Sequence, residues 1–282
     1  MRRARLSANT GFLFKDRPFL ERIVAAGASG FDAVEFHDEW RGESDADIAA
    51  ALRQAGRGGV PLPVLGINAR MGENAGTAAV PGDEERARED IDEAVEAAAR
   101  LGARAVHVLA GKVEDTPETE RAYVASLAHA CACAAAVRTQ AAPDGLTVLI
   151  EPLSERAMPV YPLRRAERAA WVIRAVARRL DLAGATGAER LRIMFDLYHV
   201  RGEGDPILET FTRHAAMIGH VQISDPETRR APRARGTDAV GPLLRGLMER
   251  GYAGAFGCEY VPTGRTENDL DWRRAVGFPA EA

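Results

Sequence analysis

The stretch TVLIEPL, Thr147 to Leu153, decides how this chain is read. β-branched and aliphatic residues lead into a carboxylate, Glu151, and Pro152 stops the strand one residue later. An acid delivered at the end of a buried strand is costly unless a cation, a proton or a polar partner compensates its charge. The arrangement recurs downstream. LRIMFD, Leu191 to Asp196, ends in Asp196. IGHVQI, Ile218 to Ile223, carries Gln222, and AFGCEY, Ala255 to Tyr260, carries Glu259. Four short apolar strands, each with an oxygen-bearing side chain at or near its end, suggest four ligands converging on one metal ion.

Outward from this stretch, strand-like and helix-like segments alternate at regular spacing, the mark of βαβ units and a parallel sheet. Strands are expected at Arg5 to Asn9, Ala33 to Phe36, Val64 to Ile67, Ala105 to Leu109, and then in the four stretches above. The intervening helices are expected at Arg17 to Ala28 with Asp16 as N-cap, Asp45 to Ala55, Asp83 to about Leu101, Pro117 to about Gln140, Arg164 to Leu180, Ile207 to Ala216 and Val240 to Arg250. A short helix is expected near Asp269 to Ala275. Eight strands with about eight helices predict a single-domain (β/α)8 barrel over residues 1–282. The competing open sheet would need a Gly-rich phosphate loop after an early strand, and no G-x-G-x-x-G follows the first one. Barrels carry their sites at the C-terminal ends of the strands. Glu151, Asp196, Gln222 and Glu259 would then face one mouth from four adjacent strands. The loop Asn68 to Gly82 exceeds the usual connection length and suits a lid.

Composition narrows the function. The 282 residues are 46% hydrophobic, which supplies one ample core, and the formal charge of −4 argues for neither nucleic acid nor a membrane surface. No apolar run approaches the roughly 20 residues of a membrane span. The basic start, MRRARLSAN, lacks the apolar stretch of a signal peptide. Three cysteines make no disulfide framework, so a reducing, cytoplasmic setting is expected. Cys131 and Cys133 stand two apart on a helix, point to different faces and cannot share a metal.

Three carboxylates and one amide oxygen form an all-oxygen set suited to Mg²⁺ or Mn²⁺. Such an ion beside two glutamates suits proton transfer next to a carbonyl. The ion acidifies the C–H, one carboxylate removes the proton, and the other returns one to the adjacent carbon of an enediolate. This is aldose–ketose isomerase or epimerase chemistry, and it needs no organic cofactor.

The sequence also resembles the hydroxypyruvate isomerase family of xylose-isomerase-like barrels. The matching stretches run in the family's order: SANTGFLF with PFLER (7–22), GFDAVEFH (30–37), AAVPG (78–82), VHVLAGK (106–112), LIEPL (149–153), MPVY (158–161), FDLYH (195–199), IGHVQI (218–223) and GCEY with GRTE (257–267). The resemblance implies one divalent ion held by Glu151, Asp196, Gln222 and Glu259, with Glu151 and Glu259 as the proton-transferring pair. It implies substrate contacts from His199 and Arg229, and it places Asn9, His37 and His107 in matching stretches near the mouth. A small hydroxy-carbonyl acid, hydroxypyruvate or a 2-oxo-tetronate, is the implied substrate. The chain departs from the family at Ser154, Glu155, Arg156 and Ala157, at Arg230, Ala231 and Pro232 after Arg229, and at Val261. These positions touch the substrate rim and spare the ligands. A larger keto-sugar and a non-catalytic sugar-binding barrel remain the alternatives, and a homo-oligomer fits the family. His220 reads as lying one pleat below Gln222, His129 and His214 as structural, and Trp40 as a wall of the site. The run RRAPRAR, 229–235, suits an anionic substrate or a partner subunit better than nucleic acid.

Overall fold

The computed structural model describes residues 3–277, so the ends of the expected 1–282 unit, Met1 and Arg2 among them, lie outside the described residues. Eight parallel strands close into a barrel in chain order. They are β1 (Leu6–Asn9), β2 (Ala33–Phe36), β3 (Val64–Asn68), β4 (Ala105–His107), β5 (Thr147–Ile150), β6 (Leu191–Asp196), β7 (Ile218–Ile223) and β8 (Phe256–Cys258). Closure comes from β8 pairing with β1, Leu6 opposite Phe256 and Ala8 opposite Cys258.

The helices are α1 (Phe19–Ala28), α2 (Asp45–Ala55), α3 (Glu84–Leu101), α4 (Pro117–Ala136), α5 (Ala166–Leu182), α6 (Leu197–Gly202), α7 (Ile207–His214) and α8 (Val240–Glu249). Their starts follow local chemistry. Ser44 caps α2 by accepting from the Asp47 N–H at 3.1 Å, and Thr116 caps α4 from the Thr119 N–H at 3.2 Å. The first helix departs from expectation: Pro18, not Asp16, stands at its N-cap, because proline fits an N-terminal position that needs no N–H. Helix α4 ends at Ala136, short of the expected Gln140, and the segment near Asp269 forms two 3₁₀ turns, Thr266–Asp269 and Asp271–Val276.

Alternation along the strands sorts the side chains into two cores. Leu6, Ala8, Val34, Phe36, Val148, Ile150, Ile193, Phe195, Val221 and Ile223 are buried in the large apolar layer shared with the helices. The alternate positions fill the barrel. Among the described residues, Ala105, Leu149 and Met194 form a small apolar cluster there. Ser7, Asn9, Glu35, Asn68, His107, Asp196, His220 and Gln222 are buried polar positions on the same face. Most barrels fill this space with branched aliphatic residues. A polar interior must be paired or must hold something, and that requirement leads to the site.

Candidate active site

Register sets the depth of each candidate. Asp196 pairs with Gln222, and Gln222 with Gly257, so Glu259 stands just past the end of β8. Glu151 likewise follows the last residue of β5. Both glutamates are 5% exposed, Gln222 2% and Asp196 1%. A cavity of about 200 Å³ at the mouth is lined by Glu151, Gln222, Glu259, His37, His107, His199 and Arg229, with Phe12, Met71 and Ala157 on its wall. A second cavity of similar volume lies deeper in the barrel and shares Asn68, His107 and Gln222 with the first. Of the two, the mouth cavity is the one that meets Glu151 and Glu259.

Glu259 is the best-partnered acid. Its Oε2 accepts from Asn9 Nδ2 at 2.7 Å and from Gln222 Nε2 at 2.6 Å, and its Oε1 is paired with Arg229. Gln222 Nε2 also donates to Glu35 Oε2 at 3.2 Å. The amide nitrogen therefore faces two carboxylates, and the amide oxygen is left buried without a donor. Glu35 is held in turn by His220, at 3.1 Å. Burial alone would push the Glu35 carboxyl up, but His220 outweighs it and the pKa falls. Burial would lower His220, but Glu35 reverses that and the pKa rises. The two form an ion pair beneath the mouth. Gly257 makes room for them: a Cβ there would lie 2.6 Å from Glu35 Oε1 and 2.8 Å from His220 Nε2.

Glu151 and Asp196 are crowded instead. Burial pushes the Glu151 carboxyl well above the usual range, reinforced by the charges of Glu259 and Asp196. Burial also pushes Asp196 up, to about 7, although Arg229 works against the rise. Asp196 Oδ1 caps α6 through the Tyr198 N–H at 2.8 Å, which leaves Oδ2 free. Glu151 Oε1, Asp196 Oδ2 and Gln222 Oε1 are all buried oxygens with no hydrogen-bond partner. Three unpaired hard donors, two of them on carboxyls short of positive charge, are what a small divalent cation would satisfy. The residues present fit such an ion.

His199 Nε2 lies 3.7 Å from Glu151 Oε1 and 3.8 Å from Asp196 Oδ2, so these three residues also cluster. Its ring is oriented from behind, where the Ser154 N–H donates to Nδ1 at 3.1 Å. An accepting Nδ1 puts the ring proton on Nε2. Burial and the nearby Arg229 hold the ring neutral, well below the usual range. His199 therefore faces the cavity as a donor rather than as a metal ligand. His107 Nδ1 meets Asn68 Oδ1 at 3.2 Å, and burial lowers its pKa to about 3. His37 stacks edge-on to Phe12, with ring centres 5.5 Å apart.

Arg229 shares a positive φ with three other described non-glycine residues, Phe14, Ala75 and Asp238. Its φ of 57° is a left-handed conformation that costs a non-glycine residue about 1–2 kcal/mol. The turn is held by Asp225, whose Oδ1 accepts from the N–H groups of Glu227 and Thr228 at 3.1 and 3.0 Å. The guanidinium sits 4.5 Å from the Phe12 ring centre and 5.1 Å from that of Tyr198, aimed at Glu259. The rim departures divide. Ala157 lines the cavity, Ser154 acts through His199, Ala231 packs on the core, and Val261 is 42% exposed. Trp40 is buried and donates to the Asn68 carbonyl at 3.2 Å, outside the cavity wall, so it packs rather than covers.

Sequence reasoning named the nine mouth residues, and seven of them line the cavity, with Asn9 and Asp196 in direct contact behind. It gave no role to Glu35 or Asn68, and it placed Ser154 at the substrate rim rather than behind His199. Glu35 and Asn68 each sit in a strand with a polar side chain among apolar neighbours, the same signal that singled out Glu151.

Comparisons agree with this fold. A profile of the xylose isomerase-like TIM barrel family matches residues 23–278. The 2-oxo-tetronate isomerase of Cupriavidus necator is 34% identical over 277 residues, covering 95% of this chain and 96% of that protein. A Streptomyces coelicolor protein named "Putative hydroxypyruvate isomerase" is 34% identical over 273 residues, covering 92% and 91%. Among solved structures, a family 2 AP endonuclease from Brucella melitensis superposes with a TM-score of 0.81 at 29% identity, covering 95% of this chain and 97% of that one.

Proposed function

Since this chain belongs to the xylose isomerase-like TIM barrel family, within its hydroxypyruvate isomerase group, and is by that kinship an isomerase, we propose that it interconverts the carbonyl and hydroxyl carbons of a small hydroxy-keto acid. The observation that carries this reading is the pair Glu151 and Glu259, both buried and both facing one cavity of about 200 Å³. That volume is below the roughly 300–1,000 Å³ of pockets for drug-sized ligands, which favours a three- or four-carbon acid over a larger sugar. The rim residue Ala157 adds no charge, and Arg229 is the cation in the cavity lining that would meet the substrate's carboxylate or enediolate oxygens.

Glu151, Asp196, Gln222 and Glu259 would hold one divalent cation, Mg²⁺ or Mn²⁺. When bound it would polarise the substrate's carbonyl and the neighbouring hydroxyl. The chain's own residues do the rest. In one direction Glu259 takes the proton from the hydroxyl-bearing carbon, and the C–H electron pair becomes the second bond of an enediolate. Glu151, whose Oε1 is free of protein partners, delivers a proton to the adjacent carbon, and the remaining O–H proton passes to the new hydroxyl. In reverse the two roles exchange. The His199 Nε2–H donates to an enediolate oxygen, and Asn9 and Gln222 hold Glu259 in place. Three free thiols fit a reducing compartment.

Incubation in D₂O with hydroxypyruvate, 2-oxo-tetronates and common ketoses, followed by NMR, tests this. Deuterium should enter beside the carbonyl of a small acid. Exchange with a hexulose but no small acid would shift the substrate class, and no exchange with any compound, cation supplied, would remove the isomerase chemistry.

A further inference from the structure

Away from the barrel mouth, Asp92 of α3 meets His129 and Cys133 of α4. His129 and Cys133 are four residues apart, so they share one helix face. His129 Nε2 lies 2.7 Å from Asp92 Oδ1, Cys133 Sγ lies 3.4 Å from the same oxygen, and Sγ and Nε2 are 3.6 Å apart. An imidazole, a thiol and a carboxylate thus point at one spot, each from a partly exposed side chain. From the residues alone, His129 reads as structural and the two cysteines as unable to share an ion. The structure leaves the second statement intact, since Cys131 is fully buried, and it pairs Cys133 with different partners.

Two chemistries use these three groups. A nucleophilic triad needs thiol and carboxylate on opposite ring nitrogens, so that one accepts the proton while the other holds the ring. Here both face Nε2, which rules that out. A metal ion needs all three donor atoms to converge, as they do. With Zn–S near 2.3 Å and Zn–N and Zn–O near 2.0–2.1 Å, a tetrahedral ion sets S–N, S–O and N–O separations of about 3.6, 3.5 and 3.3 Å. Two of the three observed separations match as they stand. The third opens by about 0.6 Å when the ion replaces the hydrogen bond, a movement within reach of the half-exposed Asp92.

We propose that Asp92, His129 and Cys133 form a surface site for a zinc-class ion, completed by a water. The donor set separates it from the mouth, where the ligand candidates are hard oxygens. Mg²⁺ has little affinity for thiolate, while Zn²⁺ and Co²⁺ accept sulfur, nitrogen and oxygen together. Three protein ligands and an exposed fourth position describe an exchangeable ion rather than a closed structural one. The ion would tie α3 to α4. The Cys133 thiol, pushed up to about 11 by partial burial and by Asp92, would bind as thiolate once the cation offsets both effects.

Cobalt reports on the thiolate directly. The full-length protein is first saturated with Mg²⁺ to fill oxygen sites and then titrated with Co²⁺. A near-ultraviolet thiolate-to-cobalt charge-transfer band should grow and saturate at one equivalent. It should vanish in Cys133→Ser, persist in Cys131→Ala, and need on the order of 100-fold more Co²⁺ in His129→Ala. A second reading needs no variant: Zn²⁺ should slow iodoacetamide alkylation of Cys133 in the unmodified chain, measured by mass spectrometry. Absence of the band, its survival in Cys133→Ser, or an alkylation rate indifferent to Zn²⁺ overturns the site and leaves the three residues as hydrogen-bonded neighbours.

Discussion

Glu151 and Glu259 share a cavity but not an environment, and that difference suits the proposed acid and base roles. Glu259 is gripped by Asn9, Gln222 and Arg229, whereas Glu151 keeps a free oxygen. Either glutamate replaced by glutamine keeps its volume and loses its proton. Glu151→Gln and Glu259→Gln should each fold normally and lower turnover by about 100- to 10,000-fold, and near-wild-type turnover in either excludes that residue from the pair. Asp196 gives a pH dependence. Its folded pKa of about 7 exceeds that of a free aspartate, about 4, so between those values the cation-free folded chain binds the extra proton. Stability from this group is full below the unfolded value and is lost as pH rises through the folded one. A cation displaces the same proton, so the rise in melting temperature on adding Mn²⁺ should grow across that interval. A rise independent of pH would mean the cation binds elsewhere. Glu35→Gln removes half of a buried ion pair and should cost about 3 kcal/mol in a urea titration, while a neutral result would mean that His220 is already uncharged.

Elements differ in how plainly their sequences announce them. The amphipathic helices α3, α5 and α8 follow the 3.6-residue period, and the strands follow the apolar runs. Helix α6 was not read in advance, because LYHVRG is too short to show a period. Yet α6 turns Asp196 into an N-cap and carries His199 to the mouth. The segment after β3 was legible as a long loop suited to a lid, and Met71 and Ala75 do line the cavity. What fastens it was not legible. Gly76 bridges Ala110, with a φ of 99°, and a Cβ there would meet the Leu109 carbonyl oxygen at 2.4 Å. Gly76→Ala should therefore loosen the loop. We expect amide exchange to rise across 69–82 and KM to rise more than kcat falls, at a cost of at least about 1 kcal/mol. An unchanged exchange profile would show that the loop does not depend on this contact.

The closed barrel links the site to the stability of the whole molecule. The four proposed ligands come from β5, β6, β7 and the end of β8, so opening the sheet between any two of these strands separates them. A cation bound only by the folded chain at 100 times its Kd should add about 2.7 kcal/mol to unfolding. Calorimetry with and without Mn²⁺ checks this, and a melting temperature unmoved by saturating cation would place any bound ion away from these strands. The eight βα units and the mouth acids could be read from the chain itself, because apolar period and strand-end carboxylates are local properties, and the family could be read from motifs such as LIEPL and FDLYH. Which way the Gln222 amide points, which nitrogen of His199 carries its proton, and how Arg229 reaches Glu259 were decided only by the tertiary structure. Each depends on a partner far along the chain, Glu35 for Gln222, Ser154 for His199 and Val261 for Arg229, brought near only by the tertiary fold. The same holds for Asp92, His129 and Cys133, whose meeting needs two helices packed side by side.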